Sequence, residues 1–104
     1  MTALLIDKSI SELEVSATEA ASVLKSLSNE KRLMILCKLL EEGEMSVLPI
    51  AEAVGLGQSA LSQHLARMRA EKIVDFRRDG QTLYYRIADP KVAQLLKSLK
   101  SSFC

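Results

Sequence analysis

Asp79-Gly80 stands between two runs rich in β-branched and aromatic residues, Ile73–Arg77 and Thr82–Ile87. Asp-Gly in that setting is a strong short-range hairpin signal, because glycine enters the positive-φ conformation of a tight turn without a Cβ penalty. The rest of the chain reads as helices that abut through short turns. Ser16-Ala-Thr-Glu19 is a capping box, with Ser9 to Glu12 a weaker one, and it opens a helix through Ala20, Val23, Leu24 and Leu27. Residues 1–8 are expected to be loose. Asn29 caps a second helix over Glu30–Glu42, which Gly43 stops. Leu33, Met34, Leu36, Cys37 and Leu40 cover much of its circumference, so this helix is expected to be central. Ser46 caps a short third helix, Val47–Val54, whose first turn tolerates Pro49 because N–H groups there lack intrahelical partners. Gly55-Leu56-Gly57 turns the chain into a fourth helix over Gln58–Glu71, with Leu61, Leu65 and Met68 as a buried stripe. Asp89-Pro90 starts the last helix, where Val92, Leu95, Leu96, Leu99 and Phe103 form an apolar face without an assigned partner.

The order is therefore ααααββα. Two short helices joined by a glycine-bearing turn, the second polar and followed by a basic hairpin, make a winged helix-turn-helix pattern. The fold class is mainly α with a β-hairpin, and 104 residues fit one domain spanning 1–104. Outside its apolar stripe the fourth helix carries Gln58, Ser59, Ser62, Gln63, His64, Arg67 and Arg69, with no acid until Glu71. A helix needing only solubility would more often show Glu and Lys there. A helix fits the major groove of B-DNA, and Gln, Ser, His and Arg supply the donors and acceptors that meet base edges. Arg77 and Arg78, near the hairpin tip, are candidates for phosphate or minor-groove contacts.

Net charge is only +1, which would argue against a polyanionic partner, but its distribution reverses that. Residues 1–57 carry net −4, residues 58–87 net +3 and residues 88–104 net +2. The basic residues are thus gathered behind the turn, where one segment can meet a phosphate backbone. With 48% hydrophobic and 26% charged residues, the chain is composed as a folded globule rather than a disordered, fibrous or disulfide-dense one. No apolar run approaches the roughly 20 residues of a membrane helix, and the N-terminus shows no basic leader. A cytoplasmic protein without a membrane partner is expected, in which cysteines are reduced by default.

The stretch from Leu27-Ser-Asn-Glu-Lys-Arg-Leu through Gln58-Ser-Ala-Leu-Ser-Gln-His-Leu to Arg78-Asp-Gly-Gln-Thr-Leu-Tyr-Tyr-Arg-Ile87 resembles the ArsR/SmtB family of bacterial repressors. The resemblance covers nearly the whole chain. It implies a homodimer of winged-helix protomers joined through first and last helices, repressing a promoter until an inducer releases it. The unpartnered face of the last helix agrees with this. A two-fold dimer sets its recognition helices about 34 Å apart, so the double-stranded operator should be an inverted repeat.

Many members of that family sense metals. One of their sites uses cysteines in a segment that aligns here with Glu44-Met-Ser-Val-Leu-Pro-Ile50, where Ser46 and Leu48 stand in place of thiols. Another uses His and acidic ligands along the last helix, yet residues 90–104 contain no His, Asp or Glu. Zinc wants about four N/S ligands, and this chain offers two thiols and one imidazole, His64, which the resemblance places in the DNA-binding motif. No metal site and no cofactor are expected, with a thiol-based metal sensor kept as an alternative.

Cys37 and Cys104 remain. Taken alone, Cys37 reads as a small hydrophobe packed among the leucines of its helix. Cys104, just after Phe103, has little to pack. The two match the dithiol of the HlyU/BigR/SqrR subgroup, which responds to persulfides and other reactive sulfur species. That resemblance implies Cys37 and Cys104 as a redox-sensing pair, closing a disulfide or polysulfide link between the second and last helices. A rival reading keeps the repressor and makes the cysteines incidental, since the Gln58–Leu65 motif and the wing also resemble rhizobial nodulation-gene repressors. A winged helix used only for protein contacts would show no salt-dependent binding to duplex DNA. An enzyme is not expected: a Cys-x-x-Cys motif is missing, no base is positioned near either thiol, and Gly55-Leu-Gly57 is too short for a phosphate loop.

Overall fold

The computed structural model describes the backbone of residues 2–103 and the side chains from Glu12 onward, Leu13 and Val15 excepted. Helix α1 runs unbroken over Thr2–Leu27. This replaces the expectation of a loose 1–8 and of a helix opening at Ser16. Residues 1–42 contain neither Gly nor Pro. The serines and threonines inside the helix each cost at most about 0.7 kcal/mol, too little to break it.

Helix α2 covers Glu30–Glu42, as the caps required. The Asn29 side chain accepts from the Arg32 N–H at 3.0 Å, and Gly43 ends the helix at φ 82°. Helices α3, Val47–Val54, and α4, Gln58–Ala70, are joined through Gly55 in the left-handed region, its N–H bonded to Ala51 C=O. From α2, Lys31 Nζ donates to the Val54 carbonyl at 2.7 Å and satisfies an otherwise orphaned helix-end acceptor. Helix α4 ends on Lys72 at φ 64°, with Lys72 N–H bonded to Arg69 C=O and Ile73 N–H to Met68 C=O. That pair of bonds is a Schellman motif holding lysine where glycine is usual.

Strand β1, Met45–Ser46, went unseen in the sequence. Ser46 precedes α3 as expected, but its side chain makes no capping bond; its place in the fold is set by the pairing of β1 with β3. Strands β2, Val74–Asp79, and β3, Thr82–Ile87, form the hairpin, and the antiparallel sheet has the order β1-β3-β2. Asp79 pairs with Thr82, so the two-residue loop is Gly80-Gln81, with Gly80 alone at positive φ, 64°. Glycine first in a two-residue loop is the pattern of a type II′ turn. The turn thus sits one residue later than the Asp-Gly signal suggests. Helix α5, Pro90–Phe103, opens with Lys91 N–H bonded to Asp89 Oδ1 at 2.9 Å.

The core joins Ile35, Leu36 and Leu39 of α2, Ile50 and Val54 of α3, the full Leu61/Leu65/Met68 stripe of α4, Val74, Tyr85, and Val92 with Leu96 of α5. The last helix therefore spends Val92 and Leu96 internally. The face that is left comprises half-buried Leu95 and Leu99 and exposed Phe103. No helix among the described residues is long and apolar enough to cross a membrane.

Candidate nucleic-acid interface and thiol groove

Burying Leu61, Leu65 and Met68 turns the opposite side of α4 outward. Gln58, Ser59, Ser62, Gln63 and Arg67 are all exposed, and the first four line a shallow depression of about 670 Å³ with Ala66. Arg67 leans toward Glu71 across a long 3.9 Å pair, with most of its side chain in solvent. These side chains have the reach and polarity for base edges in a groove.

His64 is placed differently. It lies half-buried on the flank of α4, where its Nδ1 accepts a 3.3 Å hydrogen bond from Arg32 Nε of α2. Arg32 also donates from a terminal nitrogen to the Ser26 carbonyl at 3.1 Å. Partial burial, and then the Arg32 charge, hold the imidazole below its ordinary pKa of 6.5. An Nδ1 that accepts from a guanidinium belongs to the neutral ring.

Arg77 and Arg78 are neighbours on β2, so they point to opposite faces of the wing. Arg77 makes two hydrogen bonds to Glu44, at 2.7 and 2.9 Å, and its guanidinium lies 4.5 Å from the Tyr84 ring centroid. Those bonds keep the Glu44 carboxyl below the usual carboxylate range. Arg78, paired with Leu83 and exposed, makes no salt bridge among the described residues. At the base of the wing, Arg69 bonds Asp75 at 3.2 Å and stacks 4.1 Å over Phe76, while Asp75 Oδ1 accepts from the Phe76 N–H at 2.8 Å. Arg69, which sequence reasoning set beside the recognition face, instead contacts Asp75 and Phe76 of β2, linking α4 to the wing.

Sequence reasoning missed Arg32 and Glu44 as partners of site residues. Neither could be paired from spacing, since the contacts span 32 and 33 positions.

Cys37 is exposed, which overturns its reading as core packing. Helix α2 sends Ile35, Leu36 and Leu39 into the core, and position 37 falls away from that side. The thiol instead opens on an apolar groove of about 570 Å³ between α2 and α5, lined with Leu33, Leu40, Leu96, Leu99 and Phe103 and flanked by Glu41 and Lys100. Cys104 lies outside the described residues; its neighbour Phe103 is part of that lining. No group of three or more His, Cys, Asp or Glu placed to hold a metal ion occurs among the described residues.

A short helix pair with a polar second helix turned outward, braced against a three-stranded wing, defines a winged helix-turn-helix DNA-binding regulator. Residues 29–75 match the model of bacterial regulatory proteins of the arsR family. The chain is 41% identical over 95 residues to the transcriptional regulator YgaV of Escherichia coli K12, covering 91% of this chain and 96% of that one. The repressor BigR from Xylella fastidiosa superposes with a TM-score of 0.84 at 41% identity, over 90% of this chain and 95% of its own. Reduced HlyU from Vibrio cholerae N16961 superposes at 0.83 and 39%, over 89% and 97%. The chain belongs to the ArsR family of transcriptional regulators, whose members bind DNA and are not enzymes.

Proposed function

We propose that this regulator is a repressor whose operator affinity is set by the oxidation state of Cys37 and Cys104. The observation that carries the reading is the exposed Cys37 thiol in a groove whose other wall is α5, the helix leading to Cys104. The kinship with BigR, a named repressor, and with HlyU, a protein described in a reduced form, supports it. In the first step the Cys37 thiolate attacks the outer sulfur of a low-molecular-weight persulfide, giving a cysteine persulfide and releasing the small thiolate. The Cys104 thiolate then attacks the Cys37 sulfur, closing a disulfide and expelling hydrosulfide. A longer sulfur chain forms if further sulfane sulfur is inserted.

The link would tie α5 to α2. Helix α2 meets the recognition helix through Arg32 and His64, so a shift of α2 has a physical route to α4. An allosteric coupling of about 1–3 kcal/mol would weaken operator binding roughly 5–150-fold. In the same reading the repressor is a homodimer through α1 and α5 on an inverted-repeat operator. Exposed Leu24 and a groove formed by Ala20, Val23, Leu24 and Leu95 give that interface its apolar surface. Gln58, Ser59, Ser62, Gln63, His64 and Arg67 face the duplex, with Arg78 on the backbone.

The test is anisotropy titration of this chain on the duplex it selects from a randomised pool and on a scrambled duplex. Gln63→Ala should erode the preference between them. Equal losses on both would remove its base-contact role, and binding without salt dependence would remove the DNA reading altogether.

A further inference from the structure

Of the α4 residues proposed to face the duplex, His64 is bonded to another element, through Arg32 of α2. An arginine side chain carries five N–H donors and no acceptor, so the imidazole atom it meets must be the acceptor. With Nδ1 accepting from Arg32, the ring proton of the neutral imidazole sits on Nε2. Nε2 is the ring nitrogen that the Arg32 bond leaves available, and His64 is half-buried rather than enclosed. What His64 offers outward is therefore a donor. The opposite tautomer would offer an acceptor at the same place and would meet the opposite set of base-edge groups.

Arg32 is itself fixed at several points. Its N–H is taken by the Asn29 cap at 3.0 Å, and its guanidinium spans from the Ser26 carbonyl at the end of α1 to His64 on α4. Burying that carbonyl bond costs nothing in unpaired groups, and it leaves the guanidinium little freedom to release the ring. We propose that Arg32 is a positioning residue for DNA recognition, fixing His64 as the Nε2–H tautomer so that α4 presents a donor to a hydrogen-bond acceptor of the duplex. The acceptor is purine N7, guanine O6, thymine O4 or a phosphate oxygen. This inference rests on the DNA-facing reading of α4.

The experiment uses the full chain with the duplex selected from a randomised pool and its scrambled counterpart. Nitrogen-15 spectra of the His64 ring are recorded alongside affinity for wild type, Arg32→Met, Arg32→Lys, His64→Ala and the Arg32→Met/His64→Ala double variant. Thermal melting confirms that each is folded. Wild type should show a single tautomer with Nε2 protonated, and Arg32→Met a mixture. His64→Ala should weaken binding about fivefold and Arg32→Met by less, because the Nε2–H fraction of its mixture still binds; the double variant should lose no more than His64→Ala alone, and Arg32→Lys, which keeps a donor, should restore part of both signals. Loss confined to the selected duplex assigns the acceptor to a base edge, and equal loss on both assigns it to phosphate. Additive losses, or a single Nε2–H tautomer persisting in Arg32→Met, would make Arg32 a structural brace and overturn the proposal. Unchanged binding in His64→Ala would instead remove His64 from the interface, a failure of the DNA-facing reading itself.

Discussion

The wing offers two arginines, and the structure separates their roles sharply enough to be measured. Arg77 is held by two hydrogen bonds to Glu44, so its charge is largely neutralised before any duplex arrives. Arg78 points from the other face and has no ion-pair partner among the described residues. Each phosphate contact adds about 0.9 to the slope of log affinity against log salt, equivalent to about 3.5-fold between roughly 50 and 200 mM salt. Arg78→Ala should therefore lower the slope by about 0.9 per protomer, about 1.8 for the dimer, and weaken binding about equally on all sequences. Arg77→Ala, with Glu44 in place, should change the slope by much less. Glu44→Gln releases the Arg77 charge and should steepen the slope by up to about 0.9 per protomer. Its effect on stability should be small, because Arg77 is 52% and Glu44 33% exposed in their side chains and water screens the pair. The assay is anisotropy titration at four or more salt concentrations with chemical denaturation run in parallel. Equal slope losses for Arg77→Ala and Arg78→Ala, or a Glu44→Gln slope identical to wild type, would refute this division of labour.

Three further outcomes follow from the packing and the charges. Leu96→Ala removes a fully buried side chain where α5 meets the core, and should cost about 3–5 kcal/mol in denaturant titration; a loss below about 1 kcal/mol would mean that α5 is not docked as described. Lys72→Gly should stabilise the fold by about 1 kcal/mol by relieving a side chain held at φ 64°, and a lower melting midpoint would contradict the strain assigned there. His64 has a folded pKa below 6.5, so between that folded value and 6.5 the unfolded chain binds more protons; stability should fall as pH drops through this window, be insensitive to His64 above it, and fall further in the carboxylate range as Glu44 and Asp75, whose pKa values folding lowers, become protonated. A His64→Ala profile that overlays wild type between pH 5 and about 6.5 would contradict the first part.

Local chemistry made most of the architecture readable. Asn29, Gly43, Gly55 and Asp89-Pro90 punctuate the chain with caps whose bonds the structure contains, and the Leu61/Leu65/Met68 stripe fixes which side of α4 faces out. What escaped was long-range. Strand β1 is two residues long, too short to carry a period, and forms only because β3 lies beside it. The clamp of Glu44 on Arg77 and the bond from Arg32 to His64 join residues that only the tertiary fold brings together. Taken alone, Cys37 reads as packing because α2 is apolar on several sides; periodicity alone did not distinguish its core side from the side that opens on the groove under α5. The N-terminal helix was misjudged for the opposite reason, since capping-box letters also occur inside helices when nothing nearby breaks them.

The central claim joins sulfur chemistry at Cys37 to the grip on DNA. The most direct measurement is intact mass with and without an organic persulfide, with affinity for the selected duplex taken on the same samples, for wild type and Cys37→Ser. Wild type should gain sulfur, or lose two hydrogens with both thiols protected, and bind more weakly, whereas Cys37→Ser should keep full binding with no response. Unchanged mass and affinity in wild type, or an undiminished response in Cys37→Ser, would contradict it.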